Sequence, residues 1–359
     1  MTDRHGLAGS GGRSLLVGVD VGGSKIAVLV VDEEFGIVAR RTIPNAVGAP
    51  AEAAGHIAEA VTSTLTDTGA GIDRVVAIGA GVPGRVDRGS GVVSLAVNLG
   101  WRRLPLRNEL EAILGVRCAI ENDVRAAAAG ILERRVLGPA VTDFVYLSVG
   151  TGISAGIVLS GRVHRGTRGL AGEIGHVVVD VDGEVCPCGL RGCLETIASG
   201  PAIARAAERA IADGGASILA GRSPLQPADV FAAAAGGDSL AAEVVDHAGR
   251  SLARAIHALV MTYDLERVVL GGGVTGAGAA FLDPILGELE AMRTASDLAA
   301  EMLLPGSVTL SPDGADSGAW GAVTIARAIH QGRSKTDREP SAAIAGGRPK
   351  EVVAREAAS

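Results

Sequence analysis

Large aromatic side chains are scarce in this sequence: two Trp, two Tyr and four Phe amount to 2% of 359 residues. A core without rings has to be filled by Ala, Val, Leu and Ile. Hydrophobic residues reach 47% and there are 52 Gly, so a sizeable core can form. Such a composition suits α/β layers, in which small residues let helices lie close on a sheet. An excess of basic charge is also missing. The formal net charge of −7 provides no global attraction to nucleic acid or to an anionic membrane. No segment approaches the ~18 uninterrupted apolar residues of a membrane span; the best candidate, 255–270, is broken by Asp264, Glu266 and Arg267. Residues 1–13 lack the apolar stretch of a signal peptide. We therefore expect a soluble, cytoplasmic protein with no nucleic-acid or membrane partner.

Cysteine is equally sparse, and its placement is uneven. Of four cysteines, Cys186, Cys188 and Cys193 crowd into eight residues. A disulfide framework would spread them to close loops, and a bond between Cys186 and Cys188 across one residue would be strained. With His176 they form the pattern His-x9-Cys-x-Cys-x4-Cys, which matches a closed tetrahedral Cys₃His zinc site. Pro187, Gly189 and Gly192 supply the turns of the knuckle. Four protein ligands leave no open position for water, so the zinc is expected to be structural. Cys118, flanked by Arg117 and Ala119 on a strand pattern, reads as a small core residue.

Neither a Walker A loop nor a GxGxxG fingerprint opening a helix occurs, which disfavours a Rossmann dehydrogenase. What occurs instead is a strand–glycine turn–strand unit, present twice. Apolar runs at 15–20 and 27–31 flank Asp20-Val21-Gly22-Gly23-Ser24-Lys25; runs at 144–149 and 154–159 flank Gly150-Thr151-Gly152. Glycines at such turns let backbone N–H groups approach phosphate oxygens, and Asp20 at its strand end could hold Mg²⁺ directly or through water. Each turn by itself reads equally well as a plain hairpin. Their recurrence suggests two related lobes around a cleft. A third glycine set, Gly271-Gly272-Gly273, follows the strand at 267–270 and can pack against a nucleotide or simply connect strand to helix.

Further strands are expected at 37–41, 74–79 and 117–120, a Gly/Pro loop at 81–84, and helices at about 51–68, 105–114, 195–262 and 316–331. Asn122-Asp123 is placed to cap a helix running to about residue 137. Carboxylates accept hydrogen bonds from two sugar hydroxyls at once. Glu173 and Glu195 flank the cysteine knuckle, and Asn98 and Asn122-Asp123 complete a polar set suited to a pyranose. Taken singly, both glutamates read as solvated surface acids.

Together these segments resemble the ROK family of sugar kinases and repressors, within the actin-like, hexokinase-type superfamily. The likeness rests on Asp20–Lys25, Asn98–Trp101, Glu121-Asn122-Asp123, Gly150–Gly152, Glu173–His176, Cys186–Glu195, Ser199-Gly200 and Gly271–Gly273. Ser24 stands where the family often has Thr, which keeps the hydroxyl. The resemblance implies a two-lobed α/β fold of the RNase H-like ATPase type with a zinc knuckle. The smaller lobe would span 14–128 and be completed by the helix at about 314–331; the larger would span 129–313, with disordered termini at 1–13 and 332–359. It implies ATP-dependent phosphorylation of a hexose, glucose first among them, with Mg²⁺ and structural Zn²⁺, and a homo-oligomer. Asp123 would be the catalytic base. Asn98, Asn122, Glu173, His176 and Glu195 would hold hydroxyls, with His176, Cys186, Cys188 and Cys193 on zinc. Asp20, Gly22, Gly23, Ser24, Lys25, Gly150, Thr151 and Gly152 would face phosphates, and Gly271–Gly273 the adenosine. A family repressor would carry a helix-turn-helix module of ~60–80 residues before the first phosphate turn. Asp20 has only 19 residues ahead of it, so the kinase class is expected.

Overall fold

The computed structural model describes residues 14–45, 50–96, 99–312 and 316–332. The strands β1 (Leu15–Val21) and β2 (Lys25–Asp32) are nearly continuous apolar runs and are buried on both faces, as a central hairpin requires. β3 (Ile37–Pro44) extends them as a largely exposed edge. α1 (Ala53–Thr66) buries Ile57, Val61 and Leu65, four residues apart on one face. β4 (Val75–Val82) returns parallel to β1. A small antiparallel sheet then forms from β5 (Arg85–Asp87), β6 (Val92–Ala96) and β7 (Trp101–Leu104). α2 (Leu106–Leu114) ends at Gly115, which has a left-handed φ of 68°. β8 (Cys118–Asn122) pairs with β4 and leads straight into α3 (Asp123–Glu133).

The pattern restarts with β9 (Phe144–Val149), β10 (Ile153–Leu159) and β11 (Arg162–His164). Four helices follow: α4 (Glu195–Ala198), α5 (Gly200–Ala212), α6 (Pro227–Ala235) and α7 (Ser239–Tyr263). Then come β12 (Arg267–Gly271), α8 (Ala279–Ala295), α9 (Asp297–Met302), β13 (Val308–Leu310) and α10 (Ser317–His330). The two main sheets have the orders β3-β2-β1-β4-β8 and β11-β10-β9-β12-β13. In each, three antiparallel strands are followed by two parallel ones. The repeated glycine turns thus belong to topologically equivalent hairpins.

α10 packs on the first sheet through Ala319, Val323 and Ala326 against Leu16, Leu29 and Ala77. α3 lies between α10 and the second sheet, where Val124 and Ala128 meet Tyr146 and Val158. The two helices cross where Gly130 and Gly321 abut, and any side chain at Gly321 would overlap the backbone of Ala126. This close crossing brings the N-terminus of α3 up to the cleft between the sheets.

Several elements depart from expectation. β4 runs on through Gly81 to Val82 because it is hydrogen-bonded on both sides, leaving only Pro83-Gly84 as loop. α3 stops at Glu133, short of residue 137. The strands β5, β6, β7, β11 and β13, and the helices α8 and α9, are not anticipated; the strands hold three to five residues each, too few for a periodicity to show. Among the described residues, no helix is long and apolar enough to cross a membrane. Residues 1–13 and 333–359, expected to be disordered, lie outside the described residues, as does Asn98.

Candidate active site

The cleft has two compartments, of about 740 and 700 Å³. The first is lined by Asp20, Gly22, Gly23, Ser24, Lys25, Gly150, Thr151, Gly272 and Gly273. The second is lined by Asn122, Asp123, Gly152, Glu173, His176 and Glu195. Gly22, Gly23, Asp123, Gly150 and Thr151 line both. The Asp123 carboxylate therefore stands where the compartments join, between the two glycine turns. Gly271 does not belong to either wall. It ends β12, buried, and faces the ring of Tyr146, so only Gly272 and Gly273 of that set reach the cleft.

The first turn is closed by the Gly22 N–H donating to the Lys25 carbonyl at 2.8 Å. It is braced from outside by Asn45, whose Nδ2 donates to the Gly22 carbonyl at 2.7 Å and whose N–H donates to Ser24 at 2.9 Å. The matching turn is closed by Gly150 N–H donating to Gly152 O at 2.9 Å. Asn45 is a contributor that sequence reading misses, since only the pairing of β3 with β2 brings it there. Gly318 is another: a side chain at this first-turn position of α10 would overlap the Asp20 carboxylate. Here a signal exists, because Gly318 and Gly321 are two glycines within one helix.

In the second compartment, the Asn122 side chain caps α3 by accepting from Arg125 N–H at 3.0 Å, and it donates to Asp123 Oδ1 at 2.9 Å. Asp123 is thereby held in place by its neighbour. Glu173 and His176 ride on a tight turn pressed against β10, where a side chain at Gly172 would overlap the Ala155 carbonyl. Glu195, at the start of α4, accepts from Ile153 N–H at 2.9 Å and is half-buried, unlike a solvated surface acid. Glu173 is exposed at the cleft wall. Trp101 is a buried core residue. So is Cys118, whose thiol burial pushes up to about 12.

The ligand atoms of His176, Cys186, Cys188 and Cys193 lie within 4.8 Å of one another. Cys186 Sγ is 3.6 Å from His176 Nδ1, and Cys188 Sγ is 3.6 Å from Cys193 Sγ. A tetrahedral ion with ~2.3 Å bonds to sulfur spaces its ligands by roughly 3.7 Å, so the cluster fits zinc. Within the knuckle, Cys186 N–H donates to Leu190 O at 2.7 Å and Val185 pairs with Arg191 in a short antiparallel bridge. His176 is shared between this cluster and the cleft wall.

Burial, the neighbouring Asp123 and the more distant Asp316 push Asp20 up to about 7, only partly offset by Lys25. Burial also raises Asp123. The sign of the stability effect follows. The folded chain holds a proton on Asp20 over a range where the unfolded chain, near 3.8, has lost it. Stability from this group is therefore intact below about pH 4, falls as pH rises towards 7, and stays reduced above that. Asp20→Asn should remove the penalty. In the absence of nucleotide we expect its melting temperature at pH 8 to exceed the unsubstituted protein's by at least about 1–2 °C, the shift for ~1 kcal/mol in a chain of this length. The gap should narrow at pH 5. An equal gap at both pH values in a thermal melt would contradict the assignment.

Two sheets of one topology, facing across a cleft with paired glycine turns, define an actin-like ATPase fold, here with a Cys/His cluster. Residues 16–329 match the ROK family, and the chain belongs to that family. It is 37% identical over 281 residues to a glucokinase of Halalkalibacterium halodurans, covering 77% of this chain and 85% of the relative. An N-acetylmannosamine kinase of Yersinia pestis is 32% identical over 314 residues, covering 86% and 97%. Among solved structures, a ROK family glucokinase from Streptomyces griseus in complex with glucose and AMPPNP superposes with a TM-score of 0.73. That structure is 31% identical, with 88% of this chain and 99% of that chain covered.

Proposed function

We propose that the protein is an ATP-dependent hexose kinase that phosphorylates the 6-hydroxyl, with glucose as its preferred acceptor. The observation that carries this reading is the position of Asp123, on the boundary shared by a glycine-lined compartment and a carboxylate-lined one. ATP would lie in the first with its phosphates between the turns at 22–25 and 150–152 and its adenosine beside Gly272 and Gly273. The hexose would lie in the second, held by Asn122, Glu173, His176 and Glu195, and by Asn98. Asp123 accepts the 6-hydroxyl proton while that oxygen bonds to the γ-phosphorus and the bond to the β-phosphate oxygen breaks, releasing ADP. Mg²⁺, arriving with ATP, would offset the charge on the phosphates, and Asp20 lies where it would face it. His176, Cys186, Cys188 and Cys193 hold structural Zn²⁺, which fixes the His176 ring and its tautomer for sugar binding. We assign the smaller lobe to 14–128 with α10, and the larger to 129–313.

The glucokinase relatives favour glucose; the N-acetylmannosamine kinase relative favours an N-acylhexosamine as second reading. The choice depends on pocket shape near the second carbon of the sugar. A coupled assay over glucose, mannose, fructose and N-acetylmannosamine, with ATP and polyphosphate as donors, tests it. We expect kcat/KM for glucose with ATP to lead by at least about tenfold, as ~1.4 kcal/mol of differential transition-state binding would give. A lead for N-acetylmannosamine would favour the second reading, and no transfer to any hexose would refute both.

A further inference from the structure

Glu121 lines neither compartment, yet it is the most heavily paired carboxylate near them. Its side chain is 2% exposed and meets three guanidinium groups. Arg88 Nε lies 3.2 Å from Oε2, Arg125 Nε 3.3 Å from Oε1, and Arg165 Nε and NH2 3.2 and 3.1 Å from Oε2. Burial opposes its charge, but the three cations and the Asn122 N–H, 3.0 Å from Oε1, outweigh it and hold the carboxyl below its ordinary range. One buried anion facing three cations exceeds what charge balance needs.

The three arginines come from three separate segments. Arg88 sits in the β5–β6 turn, Arg125 in the first turn of α3, and Arg165 just after β11. Arg125 NH1 also donates to the Gly169 carbonyl at 3.1 Å, and the Arg165 carbonyl accepts from Ala171 N–H at 3.0 Å. The loop from 165 to 172 is thus tied at its start to Glu121 at the end of β8 and in its middle to α3. Glu173 follows it directly and, behind the larger effect of burial, its charge adds to the upward push on Asp123. On the other side of the hub, Asn122 links Asp123 to the Gly84 carbonyl at 3.2 Å.

We propose that Glu121 is a positioning residue: through Arg165 and Arg125 it fixes the 165–173 loop against the start of α3, and so sets the separation of Glu173 from Asp123 before sugar binds. The inference rests on the hexose-kinase reading. A pre-set separation spares the sugar the cost of ordering the loop, which enters sugar affinity and alignment and leaves the nucleotide compartment untouched.

Arg165→Gln is the test, because Arg88 and Arg125 remain on Glu121 and no buried carboxylate is left unpaired. In the sugar-free protein, amide hydrogen exchange over 166–172 should quicken at least about tenfold, with β9 and β10 unchanged. The hexose KM should rise at least about fivefold while the ATP KM stays within about twofold. Arg165→Lys, which keeps the charge, should recover part of the loss. In a Glu121→Gln background, Arg165→Gln should add little further. A merely structural role would instead lower the melting temperature and quicken exchange throughout, with hexose KM unchanged; that result overturns the proposal. Faster loop exchange without a change in hexose KM overturns it too. Should the unsubstituted protein phosphorylate no hexose, the kinase reading fails by itself, and unchanged exchange over 166–172 would still defeat the loop assignment.

Discussion

Asp123→Asn should lower kcat at least ~10²-fold, the lower bound of what a positioned general base contributes. A sugar hydroxyl is a poor nucleophile at neutral pH, and among the described residues Asp123 is the one carboxylate lining both compartments. The substitution keeps size and leaves an acceptor for the Asn122 side chain and the Val124 N–H, 2.9 Å from Oδ1. Only the proton acceptor is lost. Hexose KM should therefore change far less than kcat, and zinc content and melting temperature should stay near those of the parent or exceed them, since burial disfavours the charge being removed. Because burial raises Asp123, kcat should climb with pH as the group ionises, and the substituted protein should lose that limb. Steady-state kinetics on folded, zinc-loaded protein decide the matter. Turnover near that of the parent would place the base elsewhere.

Cys186→Ser should cost zinc, stability and sugar affinity together. Elemental analysis of the unsubstituted protein should find about one zinc per chain, and the variant far less. The knuckle has few apolar contacts of its own: Val181, Val185 and Leu190 are exposed, while Cys186 and Cys193 are buried. Metal ligation then contributes directly to folding. If ~3 kcal/mol is lost, the melting temperature should fall by roughly 4–6 °C. Since His176 belongs to both the cluster and the cleft wall, hexose KM should rise in the variant and after chelation, while ATP KM should not. An active, stable, metal-free preparation would contradict the zinc assignment.

The hairpins and their turns were legible because apolar runs bounded by glycines report strand and turn directly. The Cys/His cluster was legible because soft ligands closely spaced in sequence have few other uses. Gly271 was misplaced because adjacent glycines look alike in sequence; the ring of Tyr146, from a neighbouring strand, decides which of them is buried. Asn45 and Gly318 were not legible as site residues, since their partners, Gly22 and Asp20, lie across the sheet or on another element. Glu121 was seen only as a neighbour of Asn122. Its three arginines are four to 44 positions away in the chain, and no periodicity connects them.

By itself, then, the chain's order of residues determined what is local: which segments are strands, where glycine turns occur, which four side chains can close on a metal, and where α3 begins. The tertiary structure alone decided that the two glycine turns face each other and that Asp123 stands between them. It also decided that a buried carboxylate ties three distant arginines into one hub. The physical reason is range. Turn propensity, capping and ligand spacing act over a few residues, whereas the cleft is set by the α3–α10 crossing at Gly130 and Gly321, almost two hundred positions apart in the chain.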